Sequence, residues 1–123
     1  MEIKEAQDKI RVFDKARGWD GMWNLKDLLL NISEEGGEAW NLVKWVNEEK
    51  QRQVVKEKKQ EIEDYVGDVL FLILKIANQT DVDASKALES TLKEYEDRMP
   101  PEAMKKLGHA NKSAGGYDNK NGD

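Results

Sequence analysis

A chain of 123 residues, 38% hydrophobic and 37% charged, has room for one domain with a core of its own and excludes a multidomain machine. The absence of cysteine excludes a disulfide framework, a thiolate zinc site and a cysteine nucleophile. The single His109 excludes a multi-histidine metal site, so any metal here must be held by oxygen. Twenty-five acidic against twenty basic side chains leave a net charge of -5, which disfavours a nucleic-acid polymer as partner. The longest apolar run, Val69 to Leu74, is far short of a membrane span, and Met1 to Arg17 lacks the apolar core of a signal peptide. The expectation is a cytoplasmic protein with no membrane partner.

Both prolines, Pro100 and Pro101, stand together near the C-terminus, so the chain before them is free of the residue that most often stops a helix, which favours an all-α reading. Ile3, Ala6, Ile10 and Phe13 recur at steps of three and four and predict a first helix ending near Gly18. Asn24 is placed to cap a second, with Asp27 in its first turn beside the positive end of the macrodipole. Leu28, Ile32, Glu35, Ala39, Leu42 and Val46 carry its stripe to about Glu49.

From Asn47 to Lys59 charges of both signs alternate, with only Val54 and Val55 apolar. This stretch reads as a solvated connection or helix end rather than a basic binding patch. Ile62, Val66, Val69, Ile73 and Ile76 form the stripe of a third helix. Because Val69 to Leu74 is apolar on all sides, that helix is expected to lie centrally or between subunits, which predicts a homo-oligomer. Asp83 is placed to cap a fourth helix, with Ala84, Ala87, Leu88, Leu92 and Tyr95 running up to the two prolines. The expected organisation is an all-α, four-helix bundle-like domain over residues 1–103. A polar tail of residues 104–123, carrying His109, has nothing to bury and is expected to be disordered.

The informative feature is an acidic intrusion into the apolar stripes. Glu35 lies seven residues from both Leu28 and Leu42 and shares their face, and Glu38 lies one turn further on. Gly36 and Gly37 beside them lower helix propensity by roughly 2 kcal/mol against alanine. They remove bulk, which predicts the close approach of another helix or a ligand. Glu61, Asp64 and Asp68 repeat the theme within roughly 60 degrees of one helix face, and Gly67 again flanks an acid. Two like charges about 4 Å apart repel by roughly 4 kcal/mol at an effective dielectric of about 20, so such a gathering calls for divalent cations. All-oxygen donors suit Mg2+ or Mn2+, which would bridge the acids to the phosphates of a nucleotide. The chemistry this predicts is metal-assisted cleavage of a phosphate ester or anhydride. Acid pairs on a charged helix also occur as solvated surface, and on spacing alone Glu34 and Glu63 read that way. Lys75, seven residues after Asp68 on the same face, is open to two readings, a reach to a phosphate or carboxylate and snorkelling to the surface.

Glu34-Glu35-Gly36-Gly37-Glu38 resembles the first acidic motif of the all-α nucleoside triphosphate pyrophosphohydrolases that include MazG and the dCTP pyrophosphatases. Gly67-Asp68-Val69-Leu70-Phe71 resembles the end of their second motif, and the likeness spans roughly residues 10 to 100. Arg17-Gly18-Trp19, Trp45 and Arg98-Met99-Pro100 are similar to the dCTP pyrophosphatase branch, and Asn78 to an asparagine that ends this helix in MazG-like chains. The resemblance implies cleavage of a nucleoside triphosphate between the α and β phosphates, with Mg2+ or Mn2+ as cofactor, in a homodimer or homotetramer. Glu35, Glu38, Asp64 and Asp68 would then hold metal, and Glu34 or Asp64 would orient the attacking water beside Glu35 and Glu38. Trp19, Trp45, Lys75, Asn78 and Arg98 would bind substrate. The tryptophans are also open to a packing role, and Arg98 to a helix-dipole role.

The sequence departs from that pattern at Tyr65, where the family carries a glutamate three residues before the aspartate. It departs again at Thr91 and Tyr95, where the dCTP branch carries lysine and asparagine. Tyr65 leaves a second reading open, a non-catalytic helical oligomer that binds nucleotide or protein.

Overall fold

The structure is a computed structural model that describes residues 1–107. The expected disorder of the tail beyond Leu107, and His109 with it, lie outside the described residues. Among those residues there are six helices and no strand: α1 (Ile3–Ala16), α2 (Leu25–Trp40), α3 (Glu48–Glu57), α4 (Lys59–Gln79), α5 (Ala84–Arg98) and α6 (Pro101–Leu107). None of them is long and apolar enough to cross a membrane.

The N-terminal boundaries follow local chemistry. α1 ends at Arg17, and Gly18 turns the chain with φ +66°, the left-handed conformation that glycine adopts without a steric penalty. Asn24 caps α2 reciprocally, accepting from the Asp27 N–H at 2.9 Å while the Asp27 carboxylate accepts from the Asn24 N–H at 3.3 Å. Removing one side of such a box costs about 1 kcal/mol. Asn24→Ala is therefore expected to lower the unfolding free energy by about 1 kcal/mol in urea titration without changing helix content.

The second predicted helix divides in two. α2 stops at Trp40, because the chain tightens there into three-residue turns, with Leu42 N–H donating to Ala39 and Val43 N–H to Trp40, each at 3.1 Å. Asn47 then starts a new helix by accepting from Lys50 N–H at 2.9 Å. The stretch expected as a connection or helix end is thus the separate helix α3, which has no buried residue. Its charge pattern described solvation correctly while hiding a helix.

The chain divides after Ala84 into two compact units. In the first, α4 is the helix on which α1, α2 and α3 all pack, α2 most extensively. Gln7 lies beside Asn78 and Asp14 beside Lys75, and Asp27 and Leu28 face Lys75 while Glu38 faces Asp64. Both α1 and α2 therefore run antiparallel to α4. The apolar core is small: Leu28, Leu72, Leu74 and Ala77. Gln7 is the most deeply buried side chain, tying α1 to the turn after α4 by donating to the Val82 carbonyl at 2.7 Å and accepting from Ala84 N–H at 3.1 Å. The central position expected for the Val69–Leu74 helix is the position of α4, yet Leu70 remains 55% and Ile73 45% exposed.

α5 begins directly after Asp83, and its course through the second unit ends before the prolines. Pro101 then occupies the first position of α6, where its missing N–H removes no helical hydrogen bond. Helix consequently crosses the boundary expected at residue 103, so the tetrahelical plan becomes six helices.

Candidate functional site

α2 and α4 place their acids opposite one another. Glu35, Glu38, Ala39 and Leu42 from the α2 side and Glu61, Asp64, Tyr65 and Asp68 from α4 line a cleft of about 220 Å³. Glu61 and Asp64 have local partners, Lys58 Nζ at 3.6 Å and Gln60 Nε2 at 2.9 Å respectively. Glu35, Glu38 and Asp68 have no hydrogen bond or ion pair among the described residues. Partial burial first, then the charges of Glu38, Asp68 and Glu34, push the Glu35 carboxyl above its usual range.

That shift carries a sign. The folded chain holds the Glu35 proton more tightly than the unfolded chain, so its contribution to stability is complete at low pH and is lost as pH rises from the usual carboxylate range through the raised value. In the presence of a chelator the melting temperature is expected to fall across that window, and Glu35→Gln to flatten the fall. An identical slope in the variant would remove Glu35 as the cause.

The donor set fits a hard divalent cation: carboxylate oxygens alone, with three acids lacking any compensating charge. Among the described residues no three of these acids stand close enough to form a ready-made metal group. A methyl group at Gly36, Gly37 or Gly67 would meet nothing within 4 Å. The close approach of another helix at these glycines is therefore not made among the described residues, and the glycines border open space.

Two turns along the same groove the lining becomes aromatic. Trp19, Trp23, Leu28, Phe71, Leu72 and Lys75, with Asp27 and Asn31, surround a second cavity of about 220 Å³. Trp19 meets Phe13 and Trp23 edge to face, with centroids 5.8 and 5.2 Å away, and Phe13 meets Phe71 at 5.9 Å. Lys75 neither snorkels nor faces the acidic cleft. It is buried, its ammonium 3.2 Å from Asp14 Oδ2 and 4.1 Å from the centre of the Trp23 ring.

The structure thus brings Glu35, Glu38, Asp64 and Asp68 to one cleft, and Trp19 and Lys75 to the cavity beside it. Glu34 does not line the cleft and acts on it through charge. Trp45 stands 89% exposed in the turn after α2. Asn78 donates to the Gln7 carbonyl at 3.1 Å. Arg98 lies in the second unit beside Glu94 at 3.4 Å, over the ring of Tyr95. Sequence reasoning missed Asp14, Trp23 and Phe71. The available signal was Asp14 beside Phe13, an acid at the edge of the α1 stripe.

The geometry can be set against known proteins. The structure of a pyrophosphatase from Archaeoglobus fulgidus is similar over 78% of this chain and 90% of its own, with a TM-score of 0.71 and 26% identity. No curated protein matches significantly. Residues 24–102, which contain every acid of the cleft, match the model of the MazG nucleotide pyrophosphohydrolase domain, and on that match the chain belongs to the MazG family.

Proposed function

We propose that this protein hydrolyses nucleoside triphosphates between the α and β phosphates, releasing the monophosphate and pyrophosphate in a Mg2+- or Mn2+-dependent reaction. Nucleotide-pool house-cleaning in the cytoplasm is the corresponding role. The observation that carries this reading is the groove between α2 and α4, acidic at one end and aromatic two turns away. Asp68 and Lys75 are seven residues apart on α4, about 10 Å along the axis, a span an extended nucleotide can bridge with its phosphates at the acids and its base at the indoles.

Glu35, Glu38 and Asp68, with Asp64 one turn below Asp68, would hold the cation. Bound there, it would neutralise phosphoryl charge and lower the pKa of the attacking water. Glu35 and Glu38, on consecutive turns of α2, would hold the reacting phosphate end against α4 through that cation. Glu34 or Asp64 orients the water, Asp64 being the one that lines the cleft. Trp19 holds the base, with Trp45, Lys75 and Asn78 completing the substrate contacts of the first unit. The exposed Val66, Leu70 and Ile73 of α4 support a homodimer or homotetramer, in which a second copy covers them.

The test is a panel of natural and modified nucleoside triphosphates with Mg2+ or Mn2+, the products separated by chromatography. Monophosphate and pyrophosphate, lost in Glu38→Ala, are the expected result. No turnover of any nucleotide by the folded protein would overturn the reading.

A second reading, a nucleotide- or protein-binding helical oligomer without hydrolysis, is favoured by Tyr65, which occupies the cleft wall where the family pattern places a glutamate. Tyr65→Glu separates the two. In a competent site the variant is expected to change turnover less than about tenfold, because Asp64 already supplies the carboxylate. A rise from no activity to measurable activity would establish the non-catalytic reading for the natural chain.

A further inference from the structure

Tyr65 stands on α4 four residues after Glu61 and three before Asp68, a spacing that puts all three on one face, and each of them lines the acidic cleft. With the acids ionised, its phenol is the only hydrogen-bond donor among the side chains of that lining, since carboxylates only accept and Ala39 and Leu42 carry no polar group. The hydroxyl makes no hydrogen bond among the described residues. Tyr65 is half-buried, yet its oxygen is not shut off from solvent as the unpartnered oxygens of Asp14 and Asn78 are. A free and accessible donor thus stands in a wall of acceptors.

The chemistry of that wall decides what such a donor is for. A cation gains little from it, because an uncharged phenol competes poorly with carboxylates for a hard divalent ion. A phenol also reaches further from the backbone than the glutamate of the family pattern, so its oxygen does not take that carboxylate's place. An apolar group gains nothing from the hydroxyl and would strip water from the acids. A phosphate gains most. The carboxylates of the lining repel it, and Ala39 and Leu42 offer it only carbon. Its oxygens that face the wall need a donor, and a hydrogen bond to an ionised acceptor is roughly twice as strong as a neutral one.

We propose that the Tyr65 hydroxyl donates a hydrogen bond to a phosphate oxygen of the bound nucleotide. Tyr65 is then a substrate-binding residue that grips the phosphate chain and leaves the cation to the acids. At this position the chain exchanges a carboxylate for a direct contact with substrate. The inference rests on the nucleotide reading given above and holds whether or not the nucleotide is cleaved, so its test reads binding before turnover.

Tyr65→Phe keeps the ring and removes only the hydroxyl. Calorimetry compares the variant with the natural protein for Mg2+ alone, for pyrophosphate with Mg2+, and for the four common nucleoside triphosphates carrying a methylene group in place of the oxygen between the α and β phosphorus atoms. Mg2+ alone is expected to bind both proteins within about twofold. Pyrophosphate and the preferred analogue are each expected to bind the variant about tenfold more weakly, the size of a lost hydrogen bond to a charged group. In turnover KM should rise about tenfold with kcat within about threefold, as when an interaction is made equally in the ground and transition states.

Analogue affinity within about twofold in the variant would overturn the proposal. So would a loss confined to the analogues, which would move the contact to the sugar or base, and a Mg2+ affinity that falls as far as theirs, which would make the hydroxyl part of the cation site. A natural protein that binds no pyrophosphate at millimolar concentration would overturn it as well. Hydrolysis of the triphosphate panel with KM unchanged in Tyr65→Phe would overturn this inference alone. Weaker analogue binding by the variant, with no hydrolysis by the natural protein, would overturn the hydrolase reading and leave this one standing.

Discussion

Asp68→Asn is expected to lower triphosphate turnover about a thousandfold while leaving the fold intact. The substitution keeps the shape of the side chain and removes one negative charge from a cleft whose proposed task is to gather cations against phosphates. Lewis-acid stabilisation of a phosphoryl group is worth several kcal/mol, and about 1.4 kcal/mol is tenfold in rate, so the loss of one ligand reaches roughly three orders of magnitude. No stability should be lost with it. Asp68 is exposed and has no hydrogen bond or ion pair among the described residues, and removing one of several like charges relieves repulsion. Steady-state kinetics with excess Mg2+, beside a melting curve, checks both halves. Turnover within about tenfold of the natural protein would take Asp68 out of the site and move the motif to Glu61 and Asp64, which line the same cleft.

Lys75→Met should have the largest effect on stability, a loss of about 3–5 kcal/mol, because it strands the buried Asp14 carboxylate without its cation. The ring contacts around the ammonium do not replace that charge, since each aromatic face contributes only about 0.5–2 kcal/mol to a cation and nothing to an anion. The loss is largely the cost of an orphaned charge rather than the worth of the pair, and this distinguishes it from a packing defect. Adding Asp14→Leu to the same chain should therefore restore most of the stability, since exchanging a buried ion pair for apolar groups of similar volume is often neutral or favourable. Urea unfolding of the two single variants and the double variant closes the cycle. A double variant whose loss equals the sum of the two single losses would show that Lys75 and Asp14 do not act as a pair.

Much of the local plan was legible. α1 came from its three-and-four periodicity, the start of α2 from Asn24 with Asp27 three residues on, and the end of α5 from Pro100 and Pro101, since each is a matter of neighbours within one turn. The break at Trp40 was not legible. Leu42 and Val46 continue the α2 stripe in sequence, but the chain leaves the helix there and Asn47 caps a new one, so both apolar residues come from a turn. Glu35, Glu38 and Asp68 were legible as acids out of place because each interrupts or borders a stripe that should be apolar. Their assembly into one cleft required the antiparallel packing of α2 on α4, a long-range contact that spacing within either helix does not contain.

The sequence by itself determined that the described residues are helical and which acids sit on which helical face, because periodicity and capping are local properties. Only the tertiary structure decided the fate of Lys75. From its place on α4 a phosphate and the solvent were equally reachable. The fold instead put Asp14 of α1 within 3.2 Å of its ammonium and closed three aromatic rings around it, since a buried charge needs an opposite one and that partner lay 61 residues away.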